Sequence, residues 1–207
     1  EWKGLADEIG GDKVKVFSAT HAKQNPHFIR ARPSLIAKIR RADLIICSGA
    51  SLEVGWLPLL LQKSGKKLQH GRIGNLMAAH HLPLLEIPTE VSRSQGDVHP
   101  EGNPHVHLNP HNILIIAKEL SSRLVSIDPL NATYYGDQLQ DFSSRWQESI
   151  LRWEKELLTF KGKKAIVHHK SFSYLADWMK IEIIAALEPK PGISPSTSHL
   201  EFLLQNN

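Results

Sequence analysis

The sequence predicts an α/β protein of two lobes with mainly parallel sheets, joined by one long helix and expected to be truncated at both ends. Three observations predict it. Short apolar runs alternate with helical patterns through the first half of the chain. A stretch of helical character with no strong breaker runs from Leu130 to about Phe160. A strand–helix–strand pattern then starts afresh at Ala165. Alternation of this kind places helices over a largely parallel sheet, and 207 residues suffice for one large core or two modest ones.

Taken in order, Glu1 to Ile9 opens as a helix that Gly10-Gly11 can end. Val14 to Phe17 is expected as a strand. Pro33-Ser34 can start a helix that sets Leu35, Ile36 and Ile39 on one face and stops near Ala42. Leu44 to Cys47 is nearly all apolar, as a parallel strand covered on both sides should be. Trp56 to Leu61 is a further short helix, Leu84 to Ile87 is expected as a strand, and Asn109-Pro110 starts a helix reaching Ile127. Asp128-Pro129 is the clearest boundary signal. The sequence thus divides into an N-terminal α/β lobe (1–127), a linking helix (128–160) and the start of a C-terminal α/β lobe (161–207). Thirty helical residues span about 45 Å, more than one small domain needs, so the linking helix is expected to be a strut. Ala165 to His168 and Ile181 to Ala185 are the strands of the second lobe, with a helix from Phe172 to Met179 between them.

Composition excludes several classes of function. Lys and Arg number 25 against 21 Asp and Glu, and this small, dispersed excess joins no exposed aromatics, which argues against nucleic acid. Lys66-Lys67 and Lys163-Lys164 are solvated loop charges on this reading. The single cysteine, Cys47, ends an apolar strand and is expected to be a small buried hydrophobe, and no intrachain disulfide can form. No run approaches the roughly 18–20 apolar residues of a membrane span, and the sequence as given carries no signal-peptide pattern.

The unusual number is twelve histidines. Three of them sit where a strand ends or a loop begins, the place where ligands gather in open α/β sheets. His27 follows Asn25-Pro26, His105 follows Asn103-Pro104, and His169 closes the strand that begins at Ala165. They are far apart in sequence, so only the fold could assemble them. Three neutral imidazoles and a fourth ligand would suit tetrahedral zinc. The plainer reading is that a histidine beside a proline in a loop is a hydrogen-bonded surface group, and His70, His80, His81 and His111 are expected to be that. His107, two residues from His105 and on the same side if the segment is a strand, is a spare-ligand candidate. His99, in the Gly- and Pro-rich loop from Asp97 to Pro104, could assist capture. His168 should point away from His169, and His199 fits a helix start.

These residues carry a resemblance. Asn25-Pro26-His27-Phe28 with Arg32-Pro33-Ser34, Ala42-Asp43-Leu44, Gly49, Leu52-Glu53 and Trp56-Leu57 resembles the first signature of the zinc- and manganese-binding proteins of bacterial ABC importers, the cluster A-I solute-binding family. Gly102-Asn103-Pro104-His105 with Leu108-Asn109-Pro110 is similar to the second signature, and His169-Lys170-Ser171-Phe172-Ser173-Tyr174-Leu175 to the third. Leu187 to Ile193 and Pro195-Ser196 resemble the stretch that follows. The order and register hold over nearly the whole chain. Lys170 departs from a common Asp, His107 from a common aromatic and Asn109 from a usual Asp, and the nearest likeness is to the zinc-binding subgroup without a long histidine-rich loop.

The resemblance implies metal held between two lobes by His27, His105 and His169, with Zn(2+) favoured over Mn(2+) because manganese prefers oxygen ligands. The family's fourth ligand, an Asp or Glu nearer the C-terminus, has no match in the chain and is expected beyond residue 207, and the family's first strand has none before Glu1. It further implies an exported, periplasmic protein that is not an enzyme and delivers its ion to the membrane permease of an ABC importer, with a periplasmic metallochaperone as a further candidate partner. Affinity should weaken as pH falls towards 6. Release should involve loop rearrangement around His27 and His99 more than wide hinge closure. Two other readings compete: a zinc hydrolase with Glu101 or Glu188 as general base, and a metal-stabilised adhesin or interaction protein.

Overall fold

The computed structural model describes residues 1–89, 99–190 and 192–206. Helix α1 (Trp2–Gly10) places Trp2, Leu5, Ala6 and Ile9 inward at helical spacing. It ends at Gly11, whose φ of 51° is left-handed and whose missing side chain lets the Tyr134 hydroxyl close on the backbone. Helix α2 (Pro33–Ile39) starts on a proline and buries Leu35 and Ile39. Strand β1 (Ile45–Cys47) follows, then α3 (Leu57–Gln62) and strand β2 (Asn75–Met77). The strands are parallel, with Ile45, Ile46 and Cys47 opposite Asn75, Leu76 and Met77.

This small sheet is covered on both faces, as its apolar strands require. On one face Ile46 and Leu76 pack with α1 and with Ile116, Leu120 and Leu124 of α4 (Pro110–Ile127). On the other, Cys47 and Met77 pack with Leu35, Ile39, Trp56, Leu57 and Leu60. Cys47 is a buried hydrophobe, as expected. Just past β1 the buried Glu53 carboxylate accepts the Ser48 and Gly49 N–H groups at 2.9 and 3.0 Å, closing the turn that carries the left-handed Gly49.

A short turn at Pro129–Asn131 leads to α5 (Ala132–Leu157). Asp128 anchors that turn by accepting from the Tyr135 hydroxyl at 2.8 Å and the Asn131 amide at 2.7 Å. Tyr135, Phe142 and Ile150 line the buried stripe of α5. An aromatic ladder of Phe142, Trp146 and Trp153 continues to Trp178 on α6 (Ser173–Met179), with successive ring centroids 5.4, 5.4 and 6.5 Å apart. The long helix therefore carries packing from the first α/β unit to the second. There β3 (Lys164–Val167) pairs in parallel with β4 (Glu182–Ala186), and α7 (Thr197–Asn206) follows. The protein is two-lobed α/β, with small parallel sheets connected by a long central helix.

Three expectations are corrected. Val14–Phe17 pairs in no ladder among the described residues; with Leu44–Cys47 it lines a cavity of about 960 Å³. Leu84–Ile87 is a loop: Glu86 sits at φ 53°, and the Leu85 backbone bonds to Tyr174 and Asn103 in place of a neighbouring strand. The strand that does pair with β1 is Asn75–Met77. The segment after His105 is a 3₁₀ turn, Val106–Leu108, where strand alternation was expected. The expected loop from Asp97 begins outside the described residues.

Candidate metal centre

Each candidate histidine is held by a turn that its own sequence builds. Asn-Pro-His occurs at residues 25–27 and 103–105. In both, the asparagine side chain accepts the histidine N–H, at 3.0 Å for His27 and 2.9 Å for His105. Proline forces the preceding asparagine into extended backbone, from which its short side chain bonds two residues ahead. The Trp56 indole holds the first turn by donating to the Pro26 carbonyl at 2.8 Å. His169 stands two residues past the end of β3, at the carboxyl end of the second sheet.

The fold brings these three together. One ligand atom from each of His27, His105 and His169 lies within 4.8 Å of the other two. Their ring centroids are 6.1 Å apart for His27 and His105, 6.2 Å for His27 and His169, and 5.7 Å for His105 and His169. Tetrahedral zinc with bonds near 2.1 Å would hold its nitrogens about 3.4 Å apart, so side-chain rotation of about 1 Å brings the three onto one ion. His105 is 9 % exposed, and its Nε2 has no hydrogen-bond partner among the described residues. A buried polar atom left in this way calls for a ligand. The donor set fits a divalent metal.

The electrostatics favour a neutral imidazole at His105. Burial, then the crowding of His107, His169, His27 and His99, lowers the His105 pKa to about 3. Burial also lowers that of His107. The other expected positions sort as follows. The His99 ring lies 5.0 Å from His27, and His107 lies 6.3 Å from His105 and edge-on to Trp2 at 6.2 Å, so both border the cluster. His168 is exposed, and because β3 ends at Val167 it does not turn away as expected: its Nδ1 stands 3.7 Å from the Glu188 carboxylate that His169 also contacts. His111 is an exposed group bonded to Glu154 at 3.0 Å, and His199 bonds to the Ala186 carbonyl from the first turn of α7.

Sequence reasoning missed the groups that hold the two halves of the cluster in register. Asn103, 6 % exposed, donates from its side-chain amide to the Lys170 carbonyl at 2.7 Å and to Glu86 at 2.8 Å, while its backbone carbonyl accepts from the Tyr174 hydroxyl at 2.9 Å. Tyr174 in turn accepts the Leu85 N–H at 3.0 Å. The loop carrying His105 is thereby tied to the turn carrying His169. Only a buried asparagine next to a candidate ligand hinted at this. Glu188, considered as a base, instead accepts from His169 Nδ1 at 2.7 Å and from the Gly192 N–H at 2.9 Å. Burial alone would raise its pKa, but these two hydrogen bonds outweigh that and hold the carboxyl below its usual range.

Among known proteins, the family model "ZnuA: Zinc-uptake complex component A periplasmic" matches residues 1–206. The chain is 28% identical over 144 residues to a manganese ABC transporter substrate-binding lipoprotein, PsaA, of Streptococcus anginosus, covering 68% of this chain and 44% of the relative. A Streptococcus pneumoniae PsaA is 27% identical over 166 residues, with 79% and 51% covered. The chain thus spans about half the length of the curated relatives it matches. Among solved structures, a crystal structure of ZnuA superposes with a TM-score of 0.79 at 23% identity, covering 97% of this chain and 72% of that one. The Zn(II)-bound ZnuA-like domain of Streptococcus pneumoniae AdcA gives 0.73 at 23%, with 98% and 70% covered.

Proposed function

Because the chain belongs to the family of periplasmic zinc-uptake component A proteins, we propose that it captures a divalent transition metal in the periplasm and delivers it to the membrane permease of an ABC importer. The observation that carries this is the convergence of His27 and His105, from turns in the first α/β unit, with His169, from the second. Residues 1–127 and 161–207 act as the lobes and 128–160 as the strut between them.

Zinc is the favoured cargo. Three imidazole nitrogens suit zinc, whereas manganese favours carboxylate and water oxygen. The relatives' names point both ways, with zinc in the family description and manganese in the PsaA proteins, so the preference rests on the donor set. A hydrolase built on the same histidines would need a free carboxylate beside the metal. Glu188 is committed to His169 and Gly192, and Glu101 accepts from Ser51 at 2.9 Å with His80 at 3.8 Å.

The test is competition titration with zinc and with manganese at neutral pH, comparing the protein with His27→Ala, His105→Ala and His169→Ala, and with His111→Ala as a control. Zinc should bind more tightly than manganese, and each of the three substitutions should weaken it by at least tenfold while His111→Ala does not. Equal, weak binding by all five proteins would overturn the proposal.

A further inference from the structure

Glu188 is placed by the second sheet in the same way as His169. The parallel strands β3 and β4 end side by side, so the residues just beyond them face each other: the Leu187 N–H bonds to the Val167 carbonyl at 2.8 Å, and the Glu188 N–H to the His168 carbonyl at 3.0 Å. This brings the Glu188 carboxylate, whose side chain is only 13% exposed, against the His169 ring. One oxygen contacts His169 Nδ1 at 2.7 Å and the Gly192 N–H at 2.9 Å, and the other stands 3.7 Å from His168 Nδ1. Gly192, at φ 76°, turns its N–H onto the carboxylate from the following loop.

An ionised carboxylate can only accept hydrogen bonds, and a neutral imidazole carries one N–H and one lone pair. At 2.7 Å from the carboxylate, Nδ1 must be the protonated nitrogen. The lone pair then belongs to Nε2. We propose that Glu188 is the positioning residue of the metal centre, fixing His169 as its Nδ1–H tautomer so that Nε2 is presented to the point shared with His27 and His105. The inference rests on the metal-binding reading of those three histidines. The carboxylate also holds the ring orientation before metal arrives. Partners of this kind typically raise metal affinity by 10–100-fold.

The test combines two readouts on full chains of the wild type, Glu188→Ala, Glu188→Gln and His169→Ala, each checked for an unchanged thermal unfolding transition. The first is long-range proton–nitrogen NMR of histidine-labelled, metal-free protein at pH 8, with the His169 signals assigned by their loss in His169→Ala. The second is zinc competition titration. We expect the Nδ1–H tautomer in the wild type and a shift towards Nε2–H in Glu188→Ala. Zinc affinity should fall about 10–100-fold in Glu188→Ala, with Glu188→Gln, which keeps an acceptor oxygen, recovering part of it. An Nε2–H tautomer in the wild type, or a Glu188→Ala protein with unchanged tautomer and affinity, would overturn the assignment. If His169→Ala itself leaves zinc binding intact, the metal-binding reading fails instead, and the tautomer measurement still stands on its own.

Discussion

Acidification should destabilise the metal-free protein through His105, and the size of the effect can be worked from its environment. Burial, reinforced by His107, His169, His27 and His99 around it, holds the folded-state pKa at about 3 against 6.5 for an open imidazole. Below pH 6.5 the unfolded chain takes up a proton that the folded chain refuses. The stability present above pH 6.5 is therefore lost progressively as pH falls, and the loss levels off near pH 3. With 1.36 kcal/mol for each unit of difference, His105 alone lowers stability by about 1 kcal/mol at pH 6 and about 2 kcal/mol at pH 5. Glu53 works in the opposite direction. Its pKa is raised from 4.5 to about 7 by burial, against the pull of the Ser48 and Gly49 N–H groups, so it adds stability as pH falls from 7 towards 4.5. The measurement must therefore be a difference. Urea unfolding of chelator-treated wild type and His105→Gln, followed by tryptophan fluorescence at pH 7.5, 6 and 5, cancels Glu53 and isolates His105. The variant should lose less stability than the wild type by about 2 kcal/mol at pH 5 relative to pH 7.5. Parallel pH profiles for the two proteins would refute the placement of His105 as a buried, neutral imidazole.

Two further outcomes follow from the packing. Tyr174→Phe removes the hydroxyl that bonds both the Asn103 carbonyl and the Leu85 N–H, so it should cost about 1–3 kcal/mol in urea unfolding, and a change below about 0.5 kcal/mol, the scatter of ordinary surface substitutions, would mean the tie is not made. Leu120 is fully buried between α1, α4 and the first sheet; Leu120→Ala should cost about 2–5 kcal/mol, whereas Leu130→Ala, at a side chain 96% exposed, should stay within about 0.5 kcal/mol, and similar losses in both would contradict the assigned core.

How much of this was legible depends on the range of the interaction involved. Helices α4 and α5 could be read closely because their periodicity and caps are local: Asn109 caps α4 through its own side chain, and no proline interrupts 132–157. The Asn-Pro-His turns were equally local, which is why His27 and His105 could be singled out. Strand β2 was not legible. Asn75-Leu76-Met77 has no β-branched residue or alternation, and it becomes a strand only because Ile45–Cys47 offers it a ladder. Leu84–Ile87 shows the converse, since it has strand-like residues but spends its backbone hydrogen bonds on Tyr174 and Asn103. Val14–Phe17 has the composition of a strand but joins no ladder among the described residues.

The sequence by itself determined the α/β class and the long helix and singled out the three histidines that the fold brings together, because periodicity, caps, turn chemistry and a family's spaced signatures are all written along the chain. Tertiary structure decided which groups meet. That Asn103 joins the His105 loop to the His169 turn, and that Glu188 faces Nδ1 of His169 rather than solvent, follows from parallel strands ending side by side and from Tyr174 of α6 packing into the first core. Contacts between residues 67 and 19 positions apart have no period to betray them. They exist only once burial of the apolar faces has fixed the elements in space.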